Sequence, residues 1–442
     1  MKLLRSLTFL TVLIVGSIFL NTSPSLAVNI QEIETPKGFH VWLVEDHSVP
    51  LVSIDIAFQK SGASYAPHAR EGLPVMLTDL LFHGVANLDR HQFGQYLENV
   101  GIDSVEAYIN KDNFLLSTKV VTSSLSHAFK TFSLILKHIR LDRLEVEKVR
   151  KQYPHNAVIA TGNATDIAQS TLWKILFEGH PYETPLTGTL EGIQGVTISD
   201  LKAFMKDHFT KDNLIISVAG DITPSKLSDL VDQTFGSLPE KSHIKNVAKP
   251  EPKLSGNIIV RKKDSPQSVI LFAQKGKLRS DPDFFALYLL VYLLGGEEHV
   301  SRLSEEIRVK RGLAYNTQVW LDWNQHTSLI TGEIHTKNAS VKKVTQIIRK
   351  EWKKLQDNGI TQQELSEAKA YFLGNYPMNF TSLSKTSKHV LNLQLDHLPS
   401  TYPEDRETII RNLKLEDINR VAKKLFNPNT LTFIVIGKPE GL

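Results

Sequence analysis

The 442-residue chain contains no cysteine. That removes disulfides, Cys-ligated Fe–S clusters, thiolate zinc sites and a cysteine nucleophile at once. Any bound metal would have to use His, Asp or Glu. A catalytic zinc takes about three protein ligands plus a water, and two of the ligands are often one turn apart on a single helical face. Asp79 and His83 have that i, i+4 spacing. His155 and His180 are further imidazoles, the latter in a Gly-His-Pro loop. His155 lacks two partners, and a solvated or core-satisfied side chain is the simpler reading of all three histidines. The balance of 51 Lys and Arg against 47 Asp and Glu gives a net charge of +4, without the strong basic excess of a dedicated nucleic-acid binder. At 41% hydrophobic and 22% charged residues, the composition is that of a folded globular protein.

The elements that would position such residues form a repeated pattern. From Asp200 the sequence reads DLKAFMKDHFTKDNLIISVAGD, and from Asp417 it reads DINRVAKKLFNPNTLTFIVIGK. Asp200/Asp417, Phe209/Phe426, Leu214/Leu431, Val218/Val435 and Gly220/Gly437 all share an offset of 217. Each copy predicts a helix, a polar turn and a strand stopped by glycine. Two similar halves are expected, joined through LPEKSHIKNVAKPEPKLS at 238–255, which is rich in Lys, Pro and Ser and poor in apolar residues. The expected division is therefore a first domain over 28–237, a linker over 238–255 and a second domain over 256–442.

In the first half, 39–44 and 51–58 are strand-like, and Val52, Ile54, Ile56 and Phe58 alternate with Ser53, Asp55 and Ala57. The break at 45–50 has no Asn-Gly or Asp-Gly pair, so a hairpin with a longer loop is expected there. Helices over 73–82, 92–99 and 123–139 and a strand over 113–121 complete the pattern. The fold class is α+β: two homologous domains, each a mainly antiparallel sheet with helices packed on it.

Residues 1–27 have a basic start at Lys2 and Arg5, an apolar run from Leu7 to Leu20, and small residues at Ser25-Leu26-Ala27. This reads as a secretory signal peptide, because the run falls short of the ~20 residues of a spanning helix. Its removal would leave 442 less 27, or 415 residues, and a charge of +2 once Lys2 and Arg5 are lost. The expected location is outside the cytoplasm, and the periplasm if the source is Gram-negative.

GLPVMLTDLLFHG, residues 72–84, resembles the motif region of the pitrilysin/insulinase family of zinc peptidases, whose active members carry an inverted H-x-x-E-H on this helix. The resemblance continues through LFEGHPYETPLTGT at 176–189, AGD at 219–221 and LLGGEEHVSRLSEEIRVKRGLAY at 293–315. Laid over the motif, the two histidine positions fall on Val75 and Asp79 and the glutamate position on Thr78. The third ligand, a glutamate in active members, falls near Asn156, next to His155, and no carboxylate lies between Lys148 and Thr165. Val75 has no lone pair, Asp79 and Asn156 without an imidazole make a poor zinc site, and Thr78 cannot remove a proton from a zinc-bound water. The resemblance thus implies the scaffold without a metal on this chain and without catalytic residues of its own.

A second family element is intact. Active complexes use an arginine and a tyrosine seven apart, and Arg308 and Tyr315 have that spacing within IRVKRGLAY. The arginine fork could bind a substrate carbonyl or carboxylate, and the tyrosine hydroxyl could stabilise an oxyanion. Without the resemblance, Arg308 reads as a partner of Glu305 on a helix face and Tyr315 as an ordinary strand aromatic. The resemblance implies a non-catalytic subunit of a heterodimer. Its homologous partner would carry zinc and the intact motif, and the pair would enclose an unfolded peptide held along a sheet edge. Two alternatives stand beside it: a stand-alone peptide-binding homodimer without enzymatic activity, and a hydrolase with relocated ligands.

Overall fold

The computed structural model describes residues 28–296 and 301–442, apart from the side chains of residues 154–161. The expected signal segment lies outside the described residues. The first sheet comprises β1 (Gln31–Glu34), β2 (His40–Glu45), β3 (Leu51–Phe58), β4 (Val105–Ile109), β5 (Phe114–Val121) and β6 (Leu214–Gly220), in the spatial order β1-β2-β6-β3-β5-β4. The second comprises β7 (Ile258–Lys262), β8 (Gln267–Lys275), β9 (Ala314–Trp323), β10 (Ser328–Lys337) and β11 (Thr432–Gly437), in the order β9-β10-β8-β11-β7. Apart from the additional edge strand β1, the two orders match strand for strand. In each sheet one parallel pair, β2 with β6 or β7 with β11, is followed by three antiparallel pairings.

The hairpin expected between 39–44 and 51–58 is not formed: β6 lies between β2 and β3, pairing Val41 with Ile216 on one side and Ile54 with Val218 on the other. The reason is legible in β6 itself. LIISVAG is buried along nearly its whole length, so it needs a neighbour on both edges and cover on both faces. The glycine that ends it is required by geometry. Gly220 has φ 131° and Gly437, its counterpart in β11, has φ 154°; a Cβ would fall 2.1 Å from the Leu51 carbonyl oxygen in the first and 2.2 Å from Ser268 Oγ in the second.

The helices used below are α1 (Leu73–Leu80), α2 (Arg143–Gly162), α3 (Ala164–Leu176), α4 (Ile198–His208), α5 (Phe284–Val291), α6 (Gln362–Asn375), α7 (Leu383–Leu395), α8 (Tyr402–Asn412) and α9 (Leu415–Leu425). Helices α4 and α9 are the repeated helices that lead into β6 and β11. No helix or strand lies between Phe235, where a helix ends, and Ile258. Two helices cross that expected cut. Ala168, Leu172 and Leu176 of α3 pack on Leu271, Ala273 and Ile434 of the second sheet. Leu391 of α7 packs on Ala57 and Leu115 of the first, where Ser387 Oγ also bonds Ser53 Oγ at 2.9 Å and donates to Asp55.

A polar clasp closes the same seam. Buried Lys111, in the β4–β5 turn, donates to the Tyr182 and Thr184 carbonyls at 2.9 and 2.6 Å. Buried Asp112 accepts from the Tyr182 hydroxyl and, across the seam, from the Gln325 backbone N–H at 2.8 Å. Burial pushes the Lys111 amine down to about 8 and the Asp322 carboxyl up to about 6. No helix among the described residues is long and apolar enough to cross a membrane.

Candidate functional site

Helix α1 starts after Gly72, at φ 113°, with Pro74 in the first turn, where its missing N–H leaves no helical bond unmade. Its inward face, Leu73, Met76, Leu77 and Leu80, is fully buried and anchors it to the first core. The three motif positions fall beside that face. Val75 packs against the core, and buried Thr78 donates its hydroxyl to the Val75 carbonyl at 2.7 Å, a bond within its own helix. Asp79 points outward, yet the flanking apolar walls still raise its carboxyl above the usual range, and the buried Tyr153 hydroxyl of α2 bonds to it and draws it back down.

The histidines have other partners. His83 is buried, with Nδ1 2.8 Å from Glu145 Oε2 of α2, and Glu145 in turn bonds Lys148 at 2.5 Å. His180 caps the turn at Pro181: its Nδ1 accepts from the Tyr182 N–H at 3.1 Å and its Nε2 donates to the Ala248 carbonyl at 2.9 Å, so one neutral tautomer satisfies both nitrogens. Asn156 and His155 lie in α2, and their side chains lie outside the described residues. Among the described residues no group of three His, Asp or Glu is placed to hold a metal ion. Val75 offers no donor atom, the Thr78 hydroxyl is used by its own helix, and Asp79 alone cannot hold zinc. These residues do not fit the metal that the motif position holds in H-x-x-E-H peptidases.

Arg308 and Tyr315 come together. Arg308 sits in the helical turn Ser304–Val309, anchored by fully buried Ile307, and Tyr315 sits at the start of β9. Between Ala314 and Thr317 the β9–β10 register gains one residue, a bulge that turns the Tyr315 side chain away from the ladder. The Arg308 guanidinium stands 4.5 Å from the centre of the Tyr315 ring. Tyr315 is 79% exposed, so it is not the packed strand aromatic of the simpler reading. Glu305, the helix-face partner of that reading, lies 3.7 Å from Lys310. Chemically the pair offers a guanidinium held by an aromatic face and a phenol whose ring is not committed to a core. Because β9 is an edge strand, the pair stands beside an edge to which an extended chain could add.

Sequence reasoning missed two groups. One is the Lys111–Asp112–Tyr182 clasp, whose members are scattered along the chain. The other is an aromatic and cationic cavity in the second half. Only the dense aromatic run FFALYLLVY, 284–292, could have signalled it.

Two family profiles match the chain: Insulinase (Peptidase family M16) over residues 40–190 and Peptidase M16 inactive domain over residues 195–372. The chain is 26% identical to the Non-peptidase homolog YmxG of Helicobacter pylori, over 98% of this chain and 99% of that protein. It is 22% identical to the Mitochondrial-processing peptidase subunit beta of Dictyostelium discoideum, over 85% of this chain and 82% of that one. Among solved structures, the peptidase M16 inactive domain from Pseudomonas fluorescens superposes with a TM-score of 0.86 at 25% identity, covering 93% of this chain and 98% of that one. Together with the matched sheets and the position of α1, these likenesses place the chain in the pitrilysin/insulinase (M16) family, as a member whose motif helix carries Val75, Thr78 and Asp79 in place of H-x-x-E-H.

Proposed function

We propose that this chain is the non-catalytic subunit of a heterodimeric zinc metallopeptidase. It encloses peptide with a zinc-bearing homologous partner and presents Arg308 and Tyr315 to the partner's active site. The observation that carries the reading is the 79% exposure of Tyr315 beneath the Arg308 guanidinium, on a chain whose own motif helix keeps Asp79 as a lone carboxylate in place of two histidines and a glutamate. A large aromatic left outside the core contributes little to folding, and its orientation by a bulge suits a group that meets something else. The edge position of β9 supports binding of the peptide as an added strand. A subunit role is also consistent with the name of the Dictyostelium relative. The leader at 1–27 would place the complex outside the cytoplasm; N-terminal sequencing of the chain from cell fractions tests this, and an unprocessed cytoplasmic chain would contradict it.

The test is hydrolysis of an unfolded peptide by the mature chain alone, by a zinc-bearing homologue from the same source alone, and by their mixture, with mass by light scattering. The expected result is turnover in a stable mixed dimer and none from this chain. A homodimer that binds peptide while no mixture gains turnover would replace this reading with the stand-alone peptide-binding protein. Zinc-dependent turnover by this chain alone would overturn both.

A further inference from the structure

The second half contains a cavity of about 730 Å³ between α5, α6, α7, α8 and β9, within the range of small-ligand sites. Its lining is unusual in charge. Arg406 is only 7% exposed, lies over the Tyr376 ring at 4.2 Å and donates one hydrogen bond, to the Phe372 carbonyl at 3.1 Å. Among the described residues no carboxylate pairs with it. Arg279 also lines the cavity, stacked 4.4 Å from Phe284 and 4.9 Å from Tyr402, with its hydroxyl partner on Tyr402. Among the described residues the carboxylate beside it is Asp396, 3.8 Å from Arg279 and already accepting from Trp323 Nε1 at 3.2 Å. His389, 2.9 Å from the Tyr376 hydroxyl, is pushed down to about 4 by burial and by both guanidiniums. Lys385 and Lys388 add exposed positive charge to the lining.

Among the described residues, the two guanidiniums stand with one carboxylate, Asp396, which pairs with Arg279 alone, and leave a net cation in a half-open aromatic cavity. An uncompensated buried charge is costly, and the arginine fork matches a carboxylate in two parallel bonds. The aromatic walls suit an apolar or aromatic body on that carboxylate. We propose that this cavity binds the free C-terminal carboxylate of a peptide ending in an aromatic or apolar residue, with Arg406 and Arg279 holding the carboxylate. The peptide as its source rests on the reading of this chain as a peptide-binding subunit; the carboxylate chemistry does not.

The test is calorimetric titration of the mature chain with three probes: acetyl-Ala-Ala-Phe as the free acid, the same peptide as its C-terminal amide, and 3-phenylpropionate. The free-acid peptide should bind about 10- to 100-fold more tightly than the amide, the size of one charge-assisted pair, and Arg406→Gln should remove that preference. Because Arg406 is buried, Met378→Trp provides a second variant at the 52%-exposed rim, where added bulk should weaken the free acid without disturbing the core. Acid and amide binding equally, or acid binding that survives both variants, would overturn the carboxylate pocket while leaving a peptide-binding chain. Binding of 3-phenylpropionate with no binding of either peptide would uphold the pocket and overturn the peptide source. No binding of any probe would overturn the proposal altogether.

Discussion

Helix α1 in the first half and the Arg308–Tyr315 turn in the second are both sites where the family places chemistry, and they are built differently. In α1 the folding work falls to Leu73, Met76, Leu77 and Leu80, all fully buried, while positions 75, 78 and 79 flank that face. At those positions Val75 packs against the rim of the core and Thr78 is buried, so the residues present suit packing rather than metal binding. Thr78 has closed its hydroxyl onto the Val75 carbonyl, and the Asp79 carboxylate accepts from the Tyr153 hydroxyl. At the second site, Ile307 anchors the turn, and Tyr315 is left outside any core by a bulge. Packing accounts for what stands at α1, whereas it does not account for what stands at 315. The exposed pair is therefore the part of the molecule on which the proposed subunit role rests.

The largest effect should come from rebuilding the first site. Val75→His, Thr78→Glu and Asp79→His together should leave zinc substoichiometric, and adding Asn156→Glu should bring it to about one per chain. Atomic absorption reads the difference, and full zinc with robust hydrolysis from the first three changes alone would put the third ligand elsewhere. Next in size is the clasp that holds the halves in register. Asp112→Ala leaves the Tyr182 hydroxyl and the Gln325 backbone N–H without their acceptor and should cost about 2–4 kcal/mol in chemical denaturation. A loss below ~1 kcal/mol would show that the exchanged helices α3 and α7 hold the seam unaided.

A smaller effect depends on pH. Folded His389 titrates at about 4, below its value in the unfolded chain, so the unfolded state takes up the proton first and stability falls as pH drops from about 6.5 toward 4. His389→Asn should lose less stability over that window than the natural chain, measured as the difference in Tm at each pH. Parallel curves would mean that the imidazole is not held neutral by its burial and by Arg406 and Arg279. The smallest effect belongs to Thr78→Val, which removes only a bond within α1. It should change stability by less than ~1 kcal/mol and leave turnover of a mixed dimer unaltered. A large loss of turnover would give Thr78 a role that its geometry does not suggest.

The repeat was legible because matched burial demands matched residues: the offset of 217 tracks β6 and β11 down to the glycines whose Cβ atoms would strike a neighbouring strand. The α+β class followed from alternation in 51–58 and from the helix periods. The β2–β3 pairing was not legible, because local sequence shows that two strands are close along the chain and cannot show that a third, some 160 residues later, enters between them. The exchange of α3 and α7 was hidden for the same reason: an amphipathic stripe does not say which sheet it faces. At the site, the replacement of H-x-x-E-H by Val75, Thr78 and Asp79 could be read residue by residue, while the stacking of Arg308 on Tyr315 and the strand bulge could not. Arg279 and Arg406, 127 positions apart, gave no local signal at all.

The most direct test of the central claim is turnover of the mixed dimer when only this chain carries Arg308→Ala or Tyr315→Phe. The account predicts turnover reduced by about 100-fold or more for a lost oxyanion donor, with one zinc still on the partner and the dimer intact by light scattering. Unchanged turnover in both variants, with zinc and assembly also unchanged, would contradict it and leave Arg308 and Tyr315 without a part in the reaction.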